Sequence, residues 1–201
     1  MITTLIFDWG GVLTIGKYTT SILEVLSKEK LISSAEIYSD FDKLIIQMNE
    51  GTISFKEFAR LITHKFNLKI SEEEMKDIFK RAIVPNEKII EFIKKLHSKY
   101  RLVMLSNNDE VTVKNLEEHH NDMLNLFDKK YFSHELKMRK PNLKFFRYVL
   151  DDLNTSPSEC VFIDDKQKNV DGAKECGMKG IVFSSVNQLK KELVNLGVNQ
   201  F

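Results

Sequence analysis

The sequence is poor in residues that mark several protein classes. Its only cysteines, Cys160 and Cys176, have no metal-ligand spacing and cannot build a disulfide framework. They read as buried thiols of a reducing compartment. Proline occurs three times and glycine eight, and there is no low-complexity tract or internal repeat. No apolar run approaches the roughly 18 residues that a membrane span needs. No basic region precedes the short N-terminal apolar run, and Asp8 interrupts it, so that run reads as a strand rather than a signal peptide. Charge of either sign is not in excess: 30 basic and 29 acidic side chains leave a net charge of +1. That balance argues against nucleic acid or a membrane as the main partner. A soluble cytoplasmic protein is expected, with its oligomeric state open.

What the 201 residues do contain is 42% hydrophobic side chains, enough for one core domain plus an insertion. Short apolar runs end in polar or glycine-rich turns: "ITTLIFD" (2–8), "YRLVMLS" (100–106), "KKYFS" (129–133), "CVFID" (160–164) and "GIVFS" (180–184). Helical patterns such as "NEKIIEFIKKLHSK", "NLKFFRYVLDDL" and "KNVDGAKECG" separate the later runs. Strand alternating with helix predicts an α/β, Rossmann-like core: a parallel sheet of five strands with helices on both faces. Residues 18–82 differ, with four amphipathic helical patterns and no strand. The expected organisation is therefore a core of residues 1–17 and 83–201 with a helical cap, 18–82, inserted after the first strand. Ser71 with Glu74 has the form of a capping box. Gly51 and Glu57 have calcium-loop spacing, but Ile46 and Met48 stand where ligands would be needed, so Gly51 reads as a turn between helices.

In an open parallel sheet, ligands bind beyond the C-terminal ends of the strands. Here those ends carry Asp8, then Ser106 and Asn107, then Lys140 after the third strand, then Asp164 and Asp165. Asp8 is a carboxylate able to attack phosphorus and form an aspartyl-phosphate. Such an attack by one anion on another requires neutralisation. A Mg²⁺ ion held by carboxylate oxygens, the Lys140 ammonium and the Ser106 hydroxyl would provide it. Glycines 10 and 11 leave main-chain N–H groups unobstructed. Neighbouring His119 and His120 cannot share a helix face and read as a solvated helix end, His134 as a surface loop before a border of the site, and Trp9 as packing before a wall of the pocket. Phe41, Phe55, Phe58 and Phe66 read as cap core, and Asn108 or Asp109 as a helix cap or a substrate contact.

With these groups in this order and a helical insertion after the first, the whole chain resembles the haloacid dehalogenase superfamily of aspartate-nucleophile hydrolases. "FDWGGVLT" is similar to its first motif, "LSN" to its second, Lys140 to its third and "FIDDKQKNVDGAKECGM" to its fourth. "MRKP" and "DDKQKNVDGAKECGM" resemble the sugar-phosphate phosphatase branch in particular, including its glucose-1-phosphate phosphatases. The resemblance implies catalytic roles for Asp8, Ser106 and Lys140. It implies a Mg²⁺ site from Asp8, Asp164, Asp165 and the carbonyl of Gly10, and substrate contacts from Gly11, Asn107 and Asn108. The implied substrate is a small phosphorylated metabolite.

One departure stands out. Most phosphatases of that superfamily carry a second Asp two residues after the nucleophile, which protonates the leaving alkoxide and then activates water. This sequence has Gly10 there. General acid–base help is typically worth about 10²–10⁴ in rate. Three readings follow: a phosphatase with a good leaving group or another proton donor, with Glu50 and His64 as cap candidates; a protein that binds phosphorylated ligands or a partner without turnover; or a dehalogenase, whose halide leaves without a proton. The Asp164–Asp165 pair counts against the last.

Overall fold

The computed structural model describes residues 1–29 and 34–199. Residues 30–33, inside the expected cap, and 200–201, at the end of the expected core, lie outside the described residues. Five parallel strands form one sheet in the order β3–β2–β1–β4–β5: β1 (Thr4–Phe7), β2 (Arg101–Ser106), β3 (Lys129–Phe132), β4 (Cys160–Asp164) and β5 (Lys179–Val182). Between β1 and β2 run α1 (Tyr18–Lys28), α2 (Ser34–Asn49), α3 (Phe55–Lys65), α4 (Glu72–Arg81) and α5 (Glu87–Leu96). After β2 come α6 (Glu110–His119) and α7 (Asn121–Leu124), and after β3 come α8 (Ser133–Leu136) and α9 (Leu143–Leu153). Helix α10 (Gln167–Glu175) links β4 to β5, and α11 (Val186–Asn195) follows.

The strands are apolar on both faces because helices cover both, as a buried parallel sheet requires. Alternate residues divide between two layers. Leu5, Phe7, Leu102, Met104, Val161 and Ile163 pack with α5, α6 and α11. Ile6, Val103, Leu105 and Phe162 pack with α9 and α10. Helices α1–α4 hold a third apolar cluster of their own, including Ile22, Phe41, Phe58, Met75 and Phe79. Phe79 meets Tyr18, Phe55 and Phe58 edge-on at 5.0–6.0 Å between ring centroids. Truncating such a ring costs about 3–5 kcal/mol. Local signals place the helix ends: Ser71 and Glu74 form the capping box before α4, and Ser54 caps α3 after the turn at Gly51.

The chain segments entering and leaving the four-helix unit run side by side. Ile15 N–H donates to Val84 O and Asn86 N–H to Leu13 O, each at 2.8 Å, around an antiparallel bridge between Thr14 and Pro85. At the far side, the turn after α2 docks on the segment leading to Lys140. Lys137 Nζ donates to Gly51 O at 2.9 Å and the Ser133 hydroxyl to Asn49 O. Cys160 is buried and Cys176 half-buried, both free. No helix among the described residues is long and apolar enough to cross a membrane.

Candidate active site

The sheet sets the site. Strand β1 lies between β2 and β4, where the strand order reverses, and its C-terminal end delivers Asp8 into the crevice. Asp8 N–H donates to Ile163 O at 2.8 Å, so the acid continues the register of β1 against β4. Ser106, Lys140 and Asp164 arrive at the same rim, all buried with Asp8.

Lys140 is the hub. Its ammonium, 1% exposed, donates to Asp8 Oδ1 at 2.6 Å, Asp164 Oδ2 at 2.8 Å and Leu105 O at 2.7 Å. Burial works against that charge, but Asp164 and Asp8 outweigh it and hold the lysine above its ordinary value. Burial pushes the Asp8 carboxyl up to about 6; Asp164 adds to the rise, and Lys140 and Lys166 oppose it. Only one oxygen of Asp8 is engaged, leaving Oδ2 without a protein donor among the described residues. Asp164 is held from several sides: Lys166 N–H reaches Oδ1 at 2.8 Å, and Asn169 Nδ2 donates to both oxygens at 3.0 and 2.9 Å.

Three carboxylates, Asp8, Asp164 and Asp165, place one oxygen each within 4.8 Å of one another. The Lys140 ammonium bonds two of them, Asp8 and Asp164, and Asp165 Oδ1 is buried without a hydrogen-bond partner among the described residues. Burial raises the Asp165 carboxyl, with Asp164 adding to the shift and Lys166, Lys140 and Lys17 opposing it. An all-oxygen donor set with uncompensated negative charge fits a hard divalent cation. Gly11 makes this crowding feasible: at φ +83°, it stands where a Cβ would come within 2.7 Å of the Asp165 carboxylate. Gly172 does the same for α10, where a Cβ would meet Pro141 O at 2.8 Å, so the helix packs tightly beside Lys140.

The four-helix unit roofs this rim, enclosing a cleft of about 230 Å³. Asp8, Gly10, Ser106, Asn107, Asn108 and Lys140 all line it. Three sequence expectations change in detail. Gly11 does not line the cleft, and its N–H donates to Thr14 Oγ1 at 3.2 Å; the N–H groups of Trp9 and Gly10 are the ones without an acceptor among the described residues. Asn107 gives both amide atoms to the main chain of Lys140, Nδ2 to Lys140 O at 3.0 Å and Oδ1 from Lys140 N–H at 2.9 Å. That bonding makes it a positioning group. His134, read as a surface loop, lies half-buried on α8 with Nδ1 at 2.9 Å from Asn108 O.

Glu50 and His64 do not line the cleft. Asp42 of α2 does, together with Tyr38, Ile46 and Asn49 from the same helix face. Trp9 is 1% exposed and packs edge-on against Tyr18 at 5.1 Å, yet it also borders the cleft, and its indole N–H has no partner among the described residues. The Tyr18 hydroxyl donates to Phe79 O at 3.2 Å and lies 3.1 Å from the Thr112 hydroxyl, which donates to buried Asp109 at 2.7 Å. This chain ties α1 and α4 to α6. Sequence reading missed Lys17, Tyr18, Asp42, Arg139, Lys166 and Asn169 among the lining residues. Of these, Arg139, Lys166 and Asn169 lay within the quoted motifs.

Comparison with known proteins points the same way. The family description "haloacid dehalogenase-like hydrolase" matches residues 2–177. A crystal structure of a HAD family enzyme from Bacteroides thetaiotaomicron, in complex with magnesium and inorganic phosphate, superposes with a TM-score of 0.79. It is 26% identical, over 94% of this chain and 99% of that one. D-ribitol-5-phosphate phosphatase from the same organism is 23% identical, over 89% of this chain and 90% of its own. Flavin mononucleotide hydrolase 1 of Arabidopsis thaliana is 43% identical over 61 residues, 30% of this chain. The chain spans only 13–29% of the length of that protein and two other curated relatives matched at similar identity.

Proposed function

The chain belongs to the haloacid dehalogenase-like hydrolases, and from that premise we propose that it is a Mg²⁺-dependent phosphatase of a small phosphomonoester, sugar phosphates included. The observation that carries this reading is Asp8 itself: buried, held through one oxygen by Lys140 and free at the other, at the floor of a roofed cleft. Asp8 Oδ2 would attack phosphorus and displace the leaving oxygen, giving an aspartyl-phosphate that water then hydrolyses. Ser106, whose hydroxyl has no protein partner among the described residues, the Lys140 ammonium and the N–H groups of Trp9 and Gly10 would hold the phosphoryl oxygens. Asp8, Asp164, Asp165 and the Gly10 carbonyl would bind Mg²⁺, which when bound supplies charge neutralisation for attack by one anion on another. Asn107 fixes Lys140, and Asn169 orients Asp164.

In this reading residues 1–17 and 83–201 carry the chemistry, while the cap, 18–82, excludes water and selects the substrate. The cleft volume, below the roughly 300 Å³ at which drug-sized ligand pockets begin, suits a small metabolite. Gly10 cannot transfer a proton. Asp42 is the cleft-lining carboxylate that could, besides the nucleophile. The same glycine supports a second reading, in which the site holds phosphorylated ligands without turnover. The acidic trio counts against a third, halide displacement, which needs no cation.

The deciding experiment follows p-nitrophenol release from p-nitrophenyl phosphate, with Mg²⁺ and with chelator, at enzyme concentrations that reveal the first turnover. Steady Mg²⁺-dependent release, abolished in Asp8→Asn, is the expected result. A burst of one equivalent would mean that Asp8 attacks and the intermediate persists. Absence of release in both conditions would refute turnover and leave the binding reading.

A further inference from the structure

The cleft holds more positive charge and more hydrogen-bond donors than one phosphoryl group requires. Lys140 is committed to Asp8, Asp164 and Leu105 O. Four further cations line the same cleft: Lys17, Arg139, Lys166 and Lys168. The ammonium groups of Lys17, Lys166 and Lys168 make no hydrogen bond or ion pair among the described residues. Arg139 Nε stands 3.8 Å from Glu50 Oε1, an ion pair beyond hydrogen-bond reach, and is buried with no hydrogen-bond partner among the described residues. Two more buried donors of cleft-lining residues, Trp9 Nε1 and Asn108 Nδ2, are unpaired among the described residues. Against them stand Asp8 and Asp42 in the lining, the first already paired, Glu50 beside Arg139, and Asp165, on which Lys166 and Lys17 act; Lys168 has no such counterpart among the described residues.

These groups have an arrangement as well as a number. Lys166 and Lys17 act on the acidic trio, since both oppose the rise of Asp165. Lys168 points elsewhere. It lies four residues before Gly172 on α10, hence on the same helix face, and Gly172 rests against Pro141. Lys168 is thus on the face of α10 that packs toward Pro141, and it and Arg139, two residues before Pro141, both line the cleft. Buried donors are normally paired, and unpaired ones gathered around one cavity mark where acceptors bind. Asp42 adds a single acceptor from the cap, suited to a hydroxyl.

Resting on the phosphatase reading, we infer that the substrate is a phosphomonoester whose leaving group carries a second anionic group, a carboxylate or another phosphate, bound by Arg139 and Lys168. The Trp9 indole and the Asn108 amide supply uncharged donors around it. A guanidinium suits this task because its planar donors match either oxyanion. The second anion also anchors the leaving group away from Asp8, so that the phosphoryl end is presented to the nucleophile.

Matched pairs test this. 3-Phosphoglycerate and glycerol 3-phosphate share a carbon skeleton and differ by a carboxylate. Fructose 1,6-bisphosphate and fructose 6-phosphate differ by a phosphate. The parent protein should show kcat/KM at least tenfold higher for the doubly anionic member of one pair or both, and which pair responds identifies the second anion. Arg139→Ala and Lys168→Ala should each lower kcat/KM at least fivefold more on the doubly anionic member than on its partner. Arg139→Lys should recover part of the loss. Lys168 is exposed, so its variant tests the inference even if loss of Arg139 disturbs folding.

Equal or reversed preference in both pairs, with p-nitrophenyl phosphate still hydrolysed, overturns the inference and leaves the phosphatase standing. If p-nitrophenyl phosphate is not turned over, that reading fails by itself. Melting shifts of the parent by 3-phosphoglycerate against glycerol 3-phosphate, and by the fructose pair, then decide the inference: equal shifts overturn it, and larger shifts from a doubly anionic member uphold the second-anion site.

Discussion

Replacing Gly10 by Asp should supply a general acid–base two residues after Asp8, and the structure has room for it. A Cβ built at Gly10 meets nothing within 4 Å, and its φ lies outside the left-handed region, so a side chain fits without backbone strain. Loss of glycine freedom in the unfolded chain favours the variant by about 0.4–1 kcal/mol. A fourth carboxylate beside Asp8, Asp164 and Asp165 opposes this without metal, by about 3 kcal/mol for one neighbour at about 6 Å and an effective dielectric of about 20. The variant should therefore melt below the parent in chelator and recover with Mg²⁺. General acid–base catalysis is worth about 10²–10⁴ in rate, or roughly 3–5 kcal/mol of barrier. In a site that has not been tuned around the new acid, at least the first factor of about ten should appear. The assay compares kcat on an alkyl phosphate with kcat on p-nitrophenyl phosphate, whose leaving group hardly needs a proton. Gly10→Asp should raise the first at least tenfold more than the second. Equal effects on both, in a variant whose melting in Mg²⁺ matches the parent, would refute the claim that the missing acid limits turnover.

The remaining expectations concern the charges around Asp8. Because burial raises Asp8 to about 6 in the folded, metal-free protein against an ordinary 3.8, the folded state holds the proton longer, and stability is lost as pH rises between those values. Denaturant titrations in chelator should show Asp8→Asn gaining roughly 3 kcal/mol on the parent between pH 4 and pH 7; a constant difference would contradict the burial argument. Mg²⁺ at about a hundred times its Kd should stabilise the parent by about 2.7 kcal/mol, read as a rise in Tm that Asp165→Asn largely removes. An undiminished shift in that variant would place the ion elsewhere. Asn107→Ala removes both bonds to the Lys140 main chain and should lower kcat by about ten- to a hundredfold, with KM changing less. A rise in KM alone would return Asn107 to substrate binding.

Asp8, Ser106, Lys140 and the Asp164–Asp165 pair were legible because each ends or follows a local apolar run, and the parallel order of those runs brings their ends to one rim. The strands and helices α1–α4 were legible for the same reason, since their periodicities are local. The cleft-facing surface of those helices was not. On α2, Phe41 enters the cap core while the next residue, Asp42, faces the cleft, and about 100° of helix rotation separates them. Sequence spacing gives both rows but not which one looks down on the site. The bonds of Asn107 to Lys140 and of His134 to Asn108 were not legible because these partners are 33 and 26 residues away. Gly11 was assigned to substrate because two adjacent glycines look alike on paper. Only the fold distinguishes the one that clears Asp165 from the one that borders the cleft.

The bridge between Thr14 and Pro85 carries one more consequence. Because the chain leaves and re-enters the sheet layer through paired segments, the four helices share one covalent stem with the core, like a graft, and meet it again at Lys137–Gly51 and Tyr18–Thr112. Excising residues 16–83 and joining Ile15 to Val84, whose backbones are already hydrogen-bonded, by a short turn would leave every strand neighbour in place. The same socket could then receive a different helical unit, with the phosphoryl chemistry inherited and the choice of substrate exchanged.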